Sequence, residues 1–368
     1  MGAVTEYYVD PASGDDADDG SIGTPWATVQ HALDNITRNA TNGDRINIKA
    51  GGTDTLAADL STASFGSWSY TAPLIIQGYT SSAGDGGIGK IDFNGANSFT
   101  AGTSTGTKIV DMELTGSTDS IGIALYDWSE LINCYLHDFS TDATQIRENC
   151  LVLGCRFEDI GGRGIYDYSP SGRSGAVQDC FFANGTKSFS TAVEIENYSS
   201  TIERNIFSLS GASNAIKCRY FNQICHNSIL SSAGTGTGVK VNNVGFAEAV
   251  RLWSNLVEGF SGVGGIGIDY HDDATLSLNN SVYNCATNFS GNAIHCEAGN
   301  ESLGSSPFAK SGSLTFVNRF TYFEPNDVGS VRGGAYGNST LDRGAVQHTA
   351  SGGSGGGNKV TRFIMGAM

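Results

Sequence analysis

The sequence has few charged residues and few prolines, and it has no long hydrophobic run. Asp, Glu, Lys and Arg make up 16% of the 368 residues, and Pro occurs 6 times against 50 Gly, a balance that suits frequent tight turns. No apolar stretch approaches the roughly 20 residues that a membrane-spanning helix needs. We therefore expect no membrane insertion.

Basic residues are also few, and the opening residues do not look like a leader segment. The chain has 21 Lys and Arg against 37 Asp and Glu, a net charge of −16 that disfavours nucleic acid as a partner. Polyanionic glycans would also be repelled unless a local basic patch receives them. The first thirty residues lack the basic and apolar regions of a signal peptide. Two explanations stay open: export by another route, for example inside a virus particle, or a removed leader that Met1 and Gly2 replace.

A short motif recurs eight times through the middle of the chain. The steps between its anchor residues are 22, 21, 25, 25, 22, 28 and 25 residues, and the anchors are Met112, Cys134, Cys155, Cys180, Asn205, Asn227, Asn255 and Asn280. The residue two places after each anchor is apolar, and so is the residue three places before, except Ser277. A fixed apolar phase over many units predicts a solenoid whose coils stack on one another.

A second motif lies between the anchors and reads small, apolar, variable, apolar. Its copies are Ile123–Leu125, Val193–Ile195, Ile216–Cys218, Val239–Val241, Ile268–Tyr270 and Ile294–Cys296, with a degenerate copy at Ile165–Asp167 and a poorer one starting at Ile146. Such alternation indicates a strand with one buried and one wet face. Two or three short strands per coil make an all-β parallel β-helix, whereas a propeller needs about 40–45 residues per blade.

Cysteine and asparagine occupy repeated inward positions. Cys134, Cys155 and Cys180 share one coil position, and Cys218 and Cys296 share another. Stacked coils about 4.8 Å apart would hold these as free interior thiols. The Asn anchors predict an internal ladder of side-chain amides that bond from coil to coil.

The two ends of the repeat region identify a family resemblance. The opening YYVDPASGDDADDGS, followed by TPWATVQHAL, and the closing LDRGAVQ (Leu341–Gln347) are similar to segments of right-handed parallel β-helix proteins of the pectate-lyase-like superfamily. The resemblance spans residues 4 to about 347 and identifies the scaffold, which carries lyases, hydrolases, adhesins and phage spikes alike.

The resemblance and the repeats together predict four segments. Residues 1–50 form an N-terminal cap and first strand, 51–300 the coils, 301–350 an irregular C-terminal cap, and 351–368 a Gly-rich linker with a tail. Thr24 is the expected N-cap of a capping helix with Pro25 at its first position. Trp26, Val29, Ala32, Leu33 and Ile36 would share the buried face of that helix.

Ionisable residues gather on the expected outward side of the second motif. One row reads Glu194, Lys217, Lys240, Asp269 and His295, and a second row reads Glu196, Arg219, Asn242, His271 and Glu297, with Tyr166 and Tyr168 extending the stripe. The resemblance implies that this face can hold oligosaccharides, with Tyr166, Tyr168, His295 and Glu297 as glycan contacts.

Two enzyme mechanisms fit these residue types. In a β-elimination, Lys217, Arg219 or Lys240 would be the base, and Glu194 and Glu196 would hold Ca²⁺. In a glycoside hydrolysis, the two glutamates would be the carboxyl pair, with His271 or His295 assisting. The structural alternative is that Glu194 over Lys217 and Lys240 over Asp269 are ladder ion pairs that stabilise a wet sheet.

The sequence favours the structural alternative. Catalytic motifs of the superfamily, such as the WIDH-like and NTDG motifs, are absent. Asp15, Asp16, Asp18 and Asp19 are read as a solvated capping turn, with a calcium loop as the alternative. We therefore predict no cofactor, Ca²⁺ being the one that a lyase would use.

The main functional prediction is a virion-surface or extracellular structural protein, such as a capsid decoration, spike or fibre. An apolar tail on a glycine tether, with Arg362, Phe363, Ile364 and Met365, would dock onto other virion or surface-assembly proteins. The expected partners also include polysaccharide, and the resemblance to spikes allows a homotrimer. The alternative is a polysaccharide lyase or glycoside hydrolase that acts through the outward stripe.

Overall fold

The chain winds into a right-handed parallel β-helix, as predicted. A computed structural model describes residues 4–62, 69–95, 97–101, 106–168, 175–196, 199–220, 222–242, 250–270, 275–291 and 300–303. Within these residues each coil contributes short strands to three parallel sheets, and one short helix lies near the N-terminus.

The strands, numbered in chain order, stack in register within the three sheets. Sheet 1 contains β1 (Thr5–Val9), β2 (Asp44–Lys49), β5 (Leu74–Tyr79), β8 (Thr107–Val110), β11 (Glu130–Ile132), β14 (Leu151–Leu153), β17 (Ala176–Gln178), β20 (Thr201–Glu203), β23 (Gln223–Cys225), β26 (Val250–Trp253) and β29 (Thr275–Leu278). Sheet 2 contains β3 (Asp54–Thr55), β6 (Gly89–Gly95), β9 (Met112–Ser117), β12 (Tyr135–His137), β15 (Arg156–Glu158), β18 (Phe181–Ala183), β21 (Ile206–Ser210), β24 (Ser228–Ser232), β27 (Leu256–Glu258), β30 (Ser281–Tyr283) and β32 (Glu301–Ser302). Sheet 3 contains β4 (Leu60–Ser61), β7 (Phe99–Thr100), β10 (Ile121–Leu125), β13 (Asp142–Ile146), β16 (Arg163–Asp167), β19 (Thr191–Ile195), β22 (Asn214–Cys218), β25 (Thr237–Val241), β28 (Ile266–Tyr270) and β31 (Thr287–Gly291).

The apolar positions of the first motif form two inward rows. The row on sheet 1 runs through Ile109, Leu131, Val152, Val177, Ile202, Ile224 and Leu252, each paired with the next in register. The row on sheet 2 includes Phe157, Phe182 and Phe207, whose rings stack with centroids 4.9 and 4.8 Å apart. Aromatic pairs at such spacings add about 0.5–1.5 kcal/mol each beyond area burial.

The turn from sheet 1 to sheet 2 places one residue in the left-handed region just before every anchor. These residues have φ between 53° and 65° and are Asp111, Asn133, Gly154, Asp179, Arg204, His226, Ser254 and Asn279. After the turn, the predicted Asn ladder forms inside the helix and continues one coil further than predicted, to Asn300.

The described cysteines are free thiols, as predicted. Cys134, Cys155, Cys180 and Cys218 are buried in the interior. The backbone N–H of Cys134 donates to Sγ of Cys155 at 3.4 Å. Cys296 lies outside the described residues.

The capping helix begins later than the sequence predicts. Helix α1 spans Val29–Asn35 and its N-cap is Thr28, whose side chain accepts from the His31 N–H. Thr24 is not the N-cap, because the backbone of Trp26 is taken by hydrogen bonds to Tyr8 and Asp10 and so continues a strand-like path.

The predicted apolar face of the helix region is buried, and the acidic loop acts as a capping turn. Helix α1 packs against β1 and β2. The carboxylate of Asp16 accepts from the N–H groups of Ala27 and Thr28 and from the Thr28 hydroxyl, while Asp10 binds Lys49 at 2.7 Å. The carboxylates of Asp16 and Asp10 are therefore engaged in contacts within the N-terminal cap.

The remaining predicted segments lie outside the described residues. These are most of the C-terminal cap, the LDRGAVQ segment, the Gly-rich linker, and the tail residues Arg362, Phe363, Ile364 and Met365. Among the described residues, no helix is long and apolar enough to cross a membrane.

Candidate functional site

The outward row of sheet 3 follows the predicted order over most of its length. Tyr166 pairs with Glu194, Glu194 with Lys217, Lys217 with Lys240, and Lys240 with Asp269. The next position is Ser290 and not His295 as predicted, because β31 uses Thr287–Gly291 to pair with β28. His295 itself lies outside the described residues.

A second outward row follows directly after the strands of sheet 3. Backbone N–H groups of Tyr168, Glu196, Arg219 and Asn242 each donate to a carbonyl of the preceding coil, at 2.7 to 3.2 Å. His271 and Glu297, predicted for this row, fall outside the part of the chain that the structure describes. We call Arg163, Tyr166, Glu194, Glu196, Lys217, Arg219, Lys240 and Asp269 the charged face.

Glu194 is the centre of an ionic network on this face. Its Oε1 lies 2.5 Å from Nζ of Lys217, the ladder pair that the sequence predicts, and its Oε2 lies 3.7 Å from a guanidinium nitrogen of Arg163. The Glu194 side chain is only 10% exposed. Burial of this kind strengthens a charge pair compared with one in open solvent.

Arg163 joins this network to the neighbouring coil. Its Nε and Nη2 both donate to Oδ2 of Asp142, at 2.9 and 2.5 Å, and its Cζ lies 3.3 Å from the centroid of the Tyr166 ring. Burial alone would lower the pKa of Arg163, but the hydrogen bonds and charge of Asp142 outweigh it, so that the pKa is raised. The guanidinium is thus a fixed cation of the face.

Tyr166 and Glu196 link the two outward rows. The Tyr166 hydroxyl donates to Oε2 of Glu196 at 3.1 Å, and a guanidinium nitrogen of Arg219 lies 3.6 Å from Oε1 of the same carboxylate. Burial raises the pKa of Tyr166, and the charge of Glu196 raises it further. The phenol therefore stays protonated at neutral pH and can donate a hydrogen bond. The rings of Tyr166 and Tyr168 stack at 5.8 Å.

Lys240 differs from the other cations of the face. It lies beside Lys217 and Asp269 in register, yet no salt bridge joins it to a carboxylate among the described residues. The predicted ion pair of Lys240 with Asp269 is therefore not formed. A lysine without a salt bridge keeps its amine available for a ligand.

The sequence reasoning missed several residues of this site. Asp142, Gln145, Arg147 and Arg163 lie on sheet 3 or directly after it, and Arg147 covers the ring of Tyr126 at 4.2 Å. Arg163 directly precedes the small residue of a degenerate repeat copy, so a search of positions flanking that copy would have found it. The copy at residue 146 was also misplaced, since Ile146 ends β13 and does not start the inward pair.

The carboxylates of the charged face do not form a metal-binding group. Within the described ranges, no group of three or more His, Cys, Asp or Glu residues could hold a metal ion. Glu194 and Glu196 instead accept from cations and from a phenol. These two residues therefore do not fit the role of calcium ligands.

Of the comparisons with known proteins, the one with solved structures supports the fold. No protein-family model matches the chain, and no curated protein matches it. Among solved structures, pectate lyase Pel9A is similar with a TM-score of 0.61 at 14% identity, over 94% of this chain and 97% of that one. A mannuronic acid specific polysaccharide family 6 lyase from human gut microbiota gives 0.50 at 12% identity, over 77% and 65%. The GH136 lacto-N-biosidase from Eubacterium ramulus gives 0.47 at 12% identity, over 81% and 68%.

The similarity to pectate lyase Pel9A establishes the fold. The chain is a right-handed parallel β-helix, the fold that pectate lyase Pel9A also has. Identities of this size show the fold alone, and the same fold carries unrelated activities. Any statement about activity must therefore be argued from the charged face.

Proposed function

We propose that the charged face binds an acidic polysaccharide and cleaves it by β-elimination. The observation that carries the proposal is the gathering of Arg163, Lys217, Arg219 and Lys240 within four successive coils of a strongly acidic chain. A local cationic strip of this kind attracts polyanions that the rest of the surface repels. Because the chain as a whole is negatively charged, a site for an acidic glycan needs a local basic patch, and this strip is such a patch.

Lys240 is the proposed base. Its amine has no salt bridge among the described residues, whereas Lys217 is held by Glu194. In its deprotonated form this amine would take the proton from the carbon next to a uronate carboxylate. The electron pair forms a C=C bond as the bond to the leaving glycosidic oxygen breaks, and that oxygen takes up the proton from the Lys240 ammonium, which restores the base.

The proposed role of Lys217 and Arg219 is to stabilise the negative charge that develops on the uronate carboxylate during the reaction. Proton loss beside a carboxylate builds negative charge on its oxygens, and fixed cations lower the cost of that charge. The salt bridges to Glu194 and Glu196 hold the two cations in place before substrate arrives. The Tyr166 hydroxyl, which donates its hydrogen to Glu196, can accept a hydrogen bond from a sugar hydroxyl.

Hydrolysis by Glu194 and Glu196 is less well supported. A retaining or inverting mechanism needs one carboxyl group free to protonate the leaving oxygen. Both oxygens of Glu194 face cations, and both oxygens of Glu196 face Tyr166 or Arg219. Elimination, in contrast, needs neither glutamate as an acid, and the two glutamates only hold the cations in place.

The proposal is tested by turnover of polygalacturonate and polymannuronate, followed by the ultraviolet absorbance of unsaturated products. Replacing a general base costs about 10²- to 10⁴-fold in rate, so Lys240→Met should lose activity by that factor. The matched control is Lys108→Met, which removes an outward lysine of sheet 1. Equal loss in both variants, or none in Lys240→Met, would refute the assignment of the base.

A further inference from the structure

Two exposed aromatic rings contact each other at the corner between sheet 3 and sheet 1. The ring centroids of Tyr70 and Trp128 are 5.2 Å apart and the ring planes are inclined by 32°. Tyr70 is 61% exposed and Trp128 is 42% exposed. Rings of this size in a soluble protein are usually covered, so an exposed pair is a candidate for a binding surface.

The backbone under Trp128 is unusual for a tryptophan. Trp128 is the third residue of the turn Tyr126–Ser129 and has φ of 62°, a conformation that favours Gly or Asn. The same corner position on other coils is occupied by Gly106, Asn149 and Ser199, all with positive φ. A large ring is thus held in a position where smaller residues would suit the backbone better.

The corner is tightly built around this ring pair. A side chain at Gly106 would clash with the backbone of Ser69 and Tyr70, and the Gly106 N–H donates to the carbonyl of Asp127. Backbone hydrogen bonds hold both turns, since the Trp128 N–H donates to the Glu148 carbonyl and Ser69 and Ala72 donate to each other's carbonyls around Tyr70. The pair is pre-positioned and needs little ordering when a ligand arrives.

The third exposed aromatic ring lies along the same border of sheet 3. Tyr168 is exposed and directly follows β16, in the outward row that also holds Tyr126 and Arg147. The other large exposed apolar side chains in the described residues are Ile22, Ile88 and Val263, which lie in loops elsewhere. In the part of the chain that the structure describes, no exposed large aliphatic side chain lies at this border.

We infer that Tyr70 and Trp128 form a stacking platform for a pyranose ring of a polysaccharide chain. The inference rests on the proposed function, since the same chain would continue across the charged face. The C–H groups on one side of a pyranose carry partial positive charge, and an aromatic face is negative. The guanidinium of Arg147, over Tyr126, is a donor for the sugar's hydroxyl or carboxylate groups.

A saccharide fits this surface better than a protein partner does. Protein interfaces surround their aromatic anchors with other apolar side chains that exclude water. Here the sequence neighbours of the two rings are the polar residues Ser69, Thr71, Asp127 and Ser129, and Tyr70 and Trp128 are 61% and 42% exposed. A sugar chain has both apolar ring faces and many hydroxyls, which matches such a surface.

Affinity electrophoresis in gels that contain polygalacturonate or alginate tests the inference with the full chain. Trp128→Asn places the residue of the next coil at this corner, so the fold should be kept and the melting temperature should not fall. We expect the dissociation constant to rise at least about tenfold, the usual loss for an aromatic anchor. Tyr70→Ser should weaken binding in the same direction, and Val263→Ser, at a highly exposed site elsewhere, should not.

The outcomes separate this inference from the proposed activity. If Trp128→Asn and Tyr70→Ser bind both polysaccharides as tightly as the wild type does, or the wild type binds neither, the platform is refuted. If binding is lost in these variants but the wild type forms no product, the platform stands and the elimination fails. If the wild type forms product and Trp128→Asn binds the polymer equally well, the elimination stands and the platform fails.

Discussion

Asn205 and Asn227 stack on neighbouring coils, and one oxygen of Asn227 accepts two hydrogen bonds from Asn205. Oδ1 of Asn227 accepts from the backbone N–H of Asn205 at 3.0 Å and from its Nδ2 at 3.1 Å. Nδ2 of Asn227 donates in turn to the carbonyl of Ile202 and to Oδ1 of Asn255. Each rung satisfies buried donors of its neighbour, so the ladder ties the coils together in the interior.

Replacing Asn227 by Ala should destabilise the protein strongly. The change leaves the buried backbone N–H of Asn205 and one N–H of its side-chain amide without the acceptor Oδ1 of Asn227, and each unsatisfied group costs about 1–3 kcal/mol. We expect the free energy of unfolding to fall by about 2–4 kcal/mol, measured by denaturant titration. Asn35→Ala on the exposed side of α1 is the control and should change stability by less than about 0.5 kcal/mol. Equal small effects would show that the ladder contributes little.

Stability should depend on pH through His226. Burial lowers the pKa of His226, and its Nδ1 has no hydrogen-bond partner among the described residues. The unfolded chain binds a proton near the ordinary value of about 6.5 and the folded chain does not, so stability falls as pH drops below that value.

The variant His226→Asn isolates this contribution. Asn tolerates the left-handed backbone of this turn, as Asn133 and Asn279 do at equivalent positions. We expect the variant's melting temperature to rise relative to that of the wild type as the pH is lowered from about 7.5 to about 5.5. This range spans the ordinary pKa of histidine. A constant difference between the two proteins over this range would contradict the assignment.

The Glu194 network should be worth more than an ordinary surface pair. Glu194→Gln weakens contacts with Lys217 and Arg163 in a site that is 10% exposed. Hydrogen bonds to charged groups contribute about 1.5–3 kcal/mol, so a loss of that order is expected in denaturant titration. Glu130→Gln breaks the more exposed pair with Lys108 and should cost about 1 kcal/mol or less. If the two losses are equal, burial does not strengthen the network.

The interior thiols should not react in the folded protein. Burial raises the pKa of Cys150 to about 12 and that of the half-buried Cys285 to about 11. A thiolate is the reactive form, so a thiol reagent should modify no described cysteine but Cys285 under native conditions. All 8 cysteines should react after denaturation. The variant Cys285→Ser with Cys296→Ser provides the control, since its native form should show no reaction.

The fold was predictable because its repeating unit has a constant inward phase. Two apolar residues five apart around each anchor, such as Ile109 and Leu114, fix two sheets at once. Outside the repeats the inward phase gives no information, and the predicted start of α1 was wrong there. The start of α1 depends on backbone bonds of Trp26 to Tyr8 and Asp10, and these are not visible in the local sequence.

The site was predictable only in part. Alternation placed Glu194 above Lys217, but it could not show that Arg163 reaches Glu194 from the neighbouring coil or that Lys240 stays without a salt bridge. Side-chain reach and rotamer decide such contacts, and sequence spacing does not specify them. Trp128 was missed because a lone turn residue carries no periodic signal.

The virion-surface role, the trimer and the anchoring tail stay predictions. Nothing in the described residues bears on them, since the tail residues 362–365 lie outside that part of the chain. Deletion of residues 351–368 tests the anchoring directly. Loss of incorporation into particles would support the role, and undiminished incorporation would refute it.

The most direct test of the central claim is the mass of the products formed from polygalacturonate and polymannuronate. β-Elimination on the charged face predicts oligosaccharides one water lighter than hydrolysis products, with an unsaturated sugar at the newly formed end. These products should appear with the wild type and Lys108→Met and be nearly absent with Lys240→Met. Saturated products of full mass, or intact polymer after incubation with the wild type, would contradict the account.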